Sequence, residues 1–321
     1  MNRKGIIAIL VVLILVLGGV IAYFSGVFSK DTVESVPEGS QSVGNIIEYD
    51  GKKYAYNTHL TNILFLGIDT NDTLDKFSKP AHAGQSDAIY LLTLNNETGE
   101  VSIIQINRNA MTDIDIYDKS GQVSETIPGQ VTLQYAYGNG GTQSCWAAKQ
   151  TICEMLYDIP VDGYLVMNME GISTINDEFG GVTITMPRDY TVIDPSMTEG
   201  AQVHIMGDVA ERFVRYRDLT QFNSVADRMD RQVLYITALM DTMRNRGGNE
   251  VYNTISPYLN DLILTNLGPE DFNTMAQFSY DNCRIYQTPG KMVDTENFEE
   301  FYINDEEFHK YIVENYYMSL S

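Results

Sequence analysis

AIYLLTLNNETGEVSIIQI, residues 88–106, holds two nearly continuous apolar runs separated by six polar residues that include a glycine. A strand with one wet face alternates apolar and polar side chains. These runs scarcely alternate, so each is read as a strand buried on both faces. NNETGE is too short for a crossover helix, and the two strands therefore form an antiparallel hairpin. NILFLGI (62–68) repeats the pattern and supplies a third strand. Asp87 immediately precedes the first hairpin strand and Arg108 shortly follows the second, so their side chains leave the sheet at the same end. If NILFLGI runs in the direction of VSIIQI, Asp69 joins them, at the carboxyl edge where open α/β sheets commonly hold ligands.

Outward from this core, residues 109–130 read as a long loop. TLQYAY and TQSCWAAKQTICEMLYDI read as helical, the latter with Trp146, Ile152, Cys153 and Leu156 as its buried stripe. VDGYLVMNM is a strand, and EGISTINDEF is a helix stopped by Gly180 and Gly181 before the strand VTITM. DFNTMAQF, CRIYQT and DEEFHKYIVENYY add a helix, a strand and a closing helix. Strands alternating with helices predict one α/β domain over 46–321, a three-layer-like α/β/α arrangement with a mixed central sheet.

The N-terminus differs. Met1-Asn-Arg-Lys precedes an uncharged apolar run, Ile6 to Phe24, which as a helix spans about 28 Å, the hydrocarbon thickness of a bilayer. A cleaved signal peptide is the competing reading, but such segments have apolar cores of about 7 to 15 residues and end in a small-residue site. No clear site of that kind follows here. Residues 1–24 are expected to be a cytoplasmic stub and single transmembrane helix, and 25–45 an extracellular stalk. Arg3 and Lys4 place the N-terminus inside and the C-terminal domain outside the cell membrane.

Formal charge is −22, with 43 acidic residues against 21 basic. An acidic, exported chain excludes a nucleic-acid partner. Three cysteines cannot all pair with one another, and Cys145 and Cys153 sit about 12 Å of helical rise apart, so they are read as buried thiols. Zinc spacings such as CxxC and HExxH are missing.

Against that acidity, seven of the eleven arginines fall within residues 212–246. Arg215 and Arg217 would point about 200° apart on a helix and converge only on extended backbone. Ser224 and Asp227 open the next helix, where Arg228, Arg231 and Gln232 lie at i, i+3 and i+4. Guanidinium forks and a helix N-terminus suit a pyrophosphate. The plainer alternative is a solvated face whose arginines pair with Asp218, Asp227 and Asp230. Asp69 and Asp87, taken singly, are ordinary strand-end residues. Beside a pyrophosphate they would make a magnesium position.

These segments resemble the LytR-CpsA-Psr proteins of bacterial cell envelopes. NILFLGID is similar to the family strand ending in G-x-D, and QSDAIYLLTLNNETGEVSIIQINRN to its R-S-D-T hairpin and I-P-R-D. TLQYAYGNGG resembles K-I-N-x-A-Y-x-x-G-G, FGGVTI the L-G-G-V segment, and VRYR with RMDRQ the V-R-x-R and R-x-x-R-Q pair. The resemblance implies a membrane-anchored phosphotransferase. Its reaction would move a glycopolymer, of teichoic acid or capsular polysaccharide type, from a polyprenyl-pyrophosphate carrier to peptidoglycan. It implies Mg²⁺ at Asp69 and Asp87, catalysis through Asp69, Asp87 and Arg108, and pyrophosphate held by Arg108, Arg215, Arg217, Arg228, Arg231 and Gln232. Asp69 would also assist loss of the acceptor proton.

The chain departs from the family pattern at Asn71, Gln85, Asn109 and Thr132, where three basic groups and one acid are replaced. Fewer cations weaken capture of phosphate. A second reading follows from this: a lipid-phosphate or glycan-binding module that has lost turnover. Pyrophosphate hydrolysis is a third.

Overall fold

The structure is a computed structural model and describes residues 46–76, 81–218, 220, 224–280, 283–295 and 298–320. The expected transmembrane helix and stalk lie outside the described residues, as do Leu219 and 221–223 of the expected loop before Ser224. Among the described residues no helix is long and apolar enough to cross a membrane.

A six-stranded mixed sheet forms the centre, in the order Ile263–Thr265, Gly163–Asn168, Leu60–Ile68, Ser86–Asn95, Val101–Gln105, Arg284–Gln287. The hairpin is antiparallel with Leu92 opposite Ile103, as expected. Leu60–Ile68 is antiparallel to Ser86–Asn95 and so runs in the direction of Val101–Gln105. Gly163–Asn168 joins it in parallel after a crossover through the helices Leu133–Tyr137 and Gly141–Met155.

Both faces are covered, as the apolar runs require. Leu64, Leu66, Ile89, Leu91 and Ile104 pack on one side, under Gly141–Met155 and Asp305–Tyr316. Their chain neighbours Ile63, Tyr90, Leu92 and Ile103 pack on the other, against Ser224–Arg244, Gly248–Ile255 and Pro269–Met275. Each such buried side chain contributes about 1.5 to 3 kcal/mol, so a one-residue slip, which swaps the faces, is strongly disfavoured.

Three expectations are corrected. Residues 109–130 are mostly a hairpin, Met111–Tyr117 with Val123–Gln130, rather than a loop. Only one face is buried: Ile114 is enclosed while Asp113 and most of Val123–Pro128 face outward, which hides the strand from a search for apolar runs. Trp146 is 51% exposed, touching Tyr117 edge-on; the buried stripe runs through Cys145, Ala148 and Ile152 instead. Of the three thiols, only Cys145 is buried, while Cys153 and Cys283 are half-buried and all are free. The strand Val182–Thr185 begins after Gly180 and Gly181, whose φ values of +83° and +82° end the helix as expected, but it pairs with Gln202–Ile205 outside the central sheet.

Candidate active site

Asp69, Asp87 and Arg108 emerge on one rim because the strands they flank are neighbours of alternating direction. Backbone bonds fix their spacing: Asp69 N donates to Gln85 O at 2.9 Å, and Ser86 N to Thr132 O at 3.1 Å. Thr132 N donates to Arg108 O at 3.2 Å, and Thr132 Oγ1 to Ser86 O at 3.0 Å. Thr132 thus clamps the residues on which Asp87 and Arg108 depend. Gly84 has φ +88°, and a Cβ there would lie 2.6 Å from Ile68, so glycine lets the returning chain pass close under Asp69.

Asp87 sits between two guanidinium groups. Arg108 meets its Oδ1 as an ion pair without an aligned hydrogen bond, and Arg228 Nη1 donates to its Oδ2 at 3.1 Å. Arg108 Nη2 also donates to Gln85 Oε1 at 2.7 Å. Arg228 is 7% exposed, yet its Nε and Nη2 have no hydrogen-bond partner. Burial pushes its pKa below the usual value; Asp87 opposes this, while Arg108 and Arg217 add to it. Two unpaired, desolvated donors of a cation suit an anionic oxygen.

The other arginines separate. Arg215, the last residue of helix Asp208–Arg215, lies 3.8 Å from Asp69 and 2.6 Å from Glu211. Tyr216 is extended at ψ 136°, the change of backbone that two convergent arginines need. Arg217 instead reaches Glu299, at 2.9 Å. Gln232 Oε1 accepts from Tyr90 Oη at 2.9 Å, and its Nε2 donates to Val214 O at 3.3 Å. Arg231 does not join the site: it is fully buried, paired with Asp227, and donates to the carbonyls of Phe213 and Tyr216. Its expected contact with pyrophosphate is corrected to bracing of the segment that carries Arg215 and Arg217.

Asp69, Asp87, Arg215, Arg228 and Gln232 line one end of a cleft of about 210 Å³ whose remaining wall is largely apolar. Phe65, Leu165, Met167, Ile236 and Leu239 line both this cleft and a second apolar cavity that reaches Val251, Phe272 and Met275. Charge at the mouth and a dry interior suit an amphiphile with an anionic head.

Among the described residues no group of three or more His, Cys, Asp or Glu could hold a metal. Magnesium needs less, typically one or two carboxylates with phosphate oxygens and water. Asp69, half exposed, and Asp87, whose two oxygens face Arg108 and Arg228, are carboxylates of that donor type. Asn109 is buried against Met292 and Asn107 and leaves Arg108 untouched, while Asn71 is exposed. Sequence reasoning missed Glu299 and Tyr90. Glu299 lies far beyond the arginine segment in an unremarked hairpin, and Tyr90 is hidden in an apolar run.

Comparisons agree with this architecture. A polyisoprenyl-teichoic acid–peptidoglycan teichoic acid transferase TagU from Bacillus cereus (strain AH820) is 27% identical over 224 residues, 68% of this chain and 64% of that protein. The chain thus spans just under two thirds of that relative's length. TagU from Bacillus mycoides (strain KBAB4) is 25% identical over 290 residues, 88% of this chain and 85% of the relative. The solved structure of TagT bound to LI-WTA shares the fold at TM-score 0.60 and 23% identity, covering 87% of this chain and 96% of its own. The LytR_cpsA_psr family pattern matches residues 29–314, nearly the whole described domain, and the chain belongs to that family.

Proposed function

We propose that the chain is a phosphotransferase that attaches a glycopolymer, of teichoic acid or capsular polysaccharide type, from a polyprenyl-pyrophosphate carrier to peptidoglycan. The observation that carries this reading is Arg228: a buried guanidinium with two unpartnered donors at the mouth of an apolar cleft. Relatives named as teichoic acid transferases support the class of reaction. The apolar wall would take the polyprenyl chain, and residues 6–24 would anchor the protein in the cell membrane with the domain outside.

Arg108, Arg215 and Arg228 would hold the diphosphate oxygens, and Asp87 orients Arg108 and Arg228. Arg217 is held by Glu299 beside them. The acceptor hydroxyl oxygen forms a bond to the sugar-side phosphorus as the bond to the bridging oxygen breaks, and polyprenyl phosphate leaves with that oxygen. Asp69, at the cleft's exposed lip, receives the hydroxyl proton. Guanidinium groups fixed beforehand stabilise charge that grows on the transferring phosphoryl oxygens. Asp69 and Asp87 would hold Mg²⁺, which when bound neutralises charge on the diphosphate.

The test incubates the full chain with Mg²⁺, a polyprenyl-pyrophosphate-linked glycan and peptidoglycan fragments. A covalent glycan–peptidoglycan product supports the proposal. Its absence, while a known teichoic acid transferase succeeds in parallel, overturns it. Gln85 accepting from Arg108, where a further cation would strengthen anion capture, favours a second reading as a binding module without turnover. That reading predicts lipid-phosphate binding that survives Asp87→Ala, with no product from either form. Phosphate release without glycan transfer would indicate hydrolysis.

A further inference from the structure

Transfer needs two substrates, and the amphiphilic cleft accounts for one. Asp69 lines that cleft; Thr70, the next residue, lines a separate cavity of about 190 Å³ together with Asp72, Thr73, Lys76 and His82. Hydroxyl groups, a carboxylate, an ammonium and an imidazole replace the apolar wall of the first cavity.

The wall is fixed from behind. Met169 N donates to Thr70 O at 3.0 Å, Asn168 Nδ2 to Asp72 O at 3.1 Å, and Asp72 N to Thr70 Oγ1 at 3.1 Å. Thr73 Oγ1 donates to Asp261 Oδ1 at 2.7 Å. Besides main-chain atoms, these bonds use the Asn168 amide, the Thr70 hydroxyl oxygen as acceptor, and the Thr73 hydroxyl proton on Asp261. They leave the Thr70 hydroxyl free to donate, and the Asp72 carboxylate, Lys76 ammonium and His82 ring have no ion pair or hydrogen bond among the described residues.

We propose that this cavity is the acceptor subsite and takes a sugar unit of the peptidoglycan glycan strand. Asp72 and Thr70 bind its hydroxyls, Lys76 and His82 bind its acyl oxygens, and a free hydroxyl is thereby presented beside Asp69. Carboxylates and threonines suit a polyol because each hydroxyl both donates and accepts. The inference rests on the transferase reading, since a hydrolase has no use for a second organic substrate.

The experiment uses the full chain and soluble peptidoglycan disaccharide-peptide fragments, with Lys76→Glu, His82→Asn and Lys76→Arg variants. Saturation-transfer NMR measures fragment binding without turnover, and steady-state transfer separates the two KM values. One lost charge-assisted hydrogen bond is about a tenfold change. Lys76→Glu is expected to weaken fragment binding and raise the acceptor KM by at least about that factor. Donor KM should stay unchanged, and Lys76→Arg should retain binding. Unchanged acceptor binding and KM in both Lys76→Glu and His82→Asn would overturn the subsite. Fragment binding that depends on Lys76 in a protein that transfers nothing would retain the subsite and overturn the transferase reading instead.

Discussion

Arg228 Nη1 donates to Asp87 Oδ2 at 3.1 Å, joining a helix and a strand 141 positions apart. The bond uses Nη1 and leaves Nε and Nη2, both buried, without a partner. Asp87 therefore keeps the cation charged and oriented despite its burial, and the remaining donors are free for a ligand.

Arg228→Lys tests this arrangement because it keeps the charge and discards the fork. Charged hydrogen bonds are worth about 1.5 to 3 kcal/mol each, so the Kd for inorganic pyrophosphate should rise about tenfold or more. Isothermal titration calorimetry reads the change. An unchanged Kd would remove Arg228 from the anion site.

Arg231 should behave differently, although only three residues away. Its guanidinium lies 5.4 Å from the Tyr190 ring centre and 5.6 Å from that of Tyr216, and its donors hold the carbonyls of 213 and 216. Arg231→Met is expected to lower stability by about 3 kcal/mol, by analogy with breaking one side of a buried pair. Below its melting temperature, pyrophosphate binding should persist. Denaturant midpoints and calorimetry check both; normal stability with lost binding would return Arg231 to the phosphate site.

The contrast between Arg228 and Arg231 shows where sequence reasoning stops. Both residues fit one helical face at i and i+3, but three residues advance a helix by about 300°, so Arg231 is turned roughly 60° from Arg228. That rotation carries it toward Phe213 and Tyr216. The three rim residues were legible because strands buried on both faces leave an unbroken apolar signal, and hairpin geometry then fixes where Asp87 and Arg108 emerge. Met111–Tyr117 was not, since a strand buried on one side offers only Ile114 and Tyr117 as fully enclosed apolar contacts. Glu299 meets Arg217 across 82 positions, a pairing set by tertiary packing alone.

The thiols should be inert. Burial pushes Cys145 and Cys283 up to about 12, and raises Cys153 as well. A thiol remains protonated below its pKa, so at pH 8 Cys145 is held as the unreactive thiol. Ellman's reagent should leave the native protein essentially unmodified at pH 8 and titrate three thiols in guanidinium chloride. Rapid native reaction at Cys145 would contradict its enclosure.

The apolar channel is tested by narrowing it away from the charges. Ile236 lines both cavities and lies one helical turn beyond Gln232, so Ile236→Trp intrudes on a lipid chain and leaves the anion donors in place. Excluding about three methylene groups at about 0.8 kcal/mol each corresponds to roughly fiftyfold in Kd. Long-chain polyprenyl phosphate should bind that much more weakly, while inorganic pyrophosphate binds as before. Overpacking itself destabilises by about 1 to 3 kcal/mol, so melting temperatures and the smaller Ile236→Phe change accompany the measurement. Equal weakening for both ligands would mean that the substitution disturbs the rim. Unchanged lipid affinity in both well-folded variants would mean that the chain does not enter between the sheet and helix Ser224–Arg244.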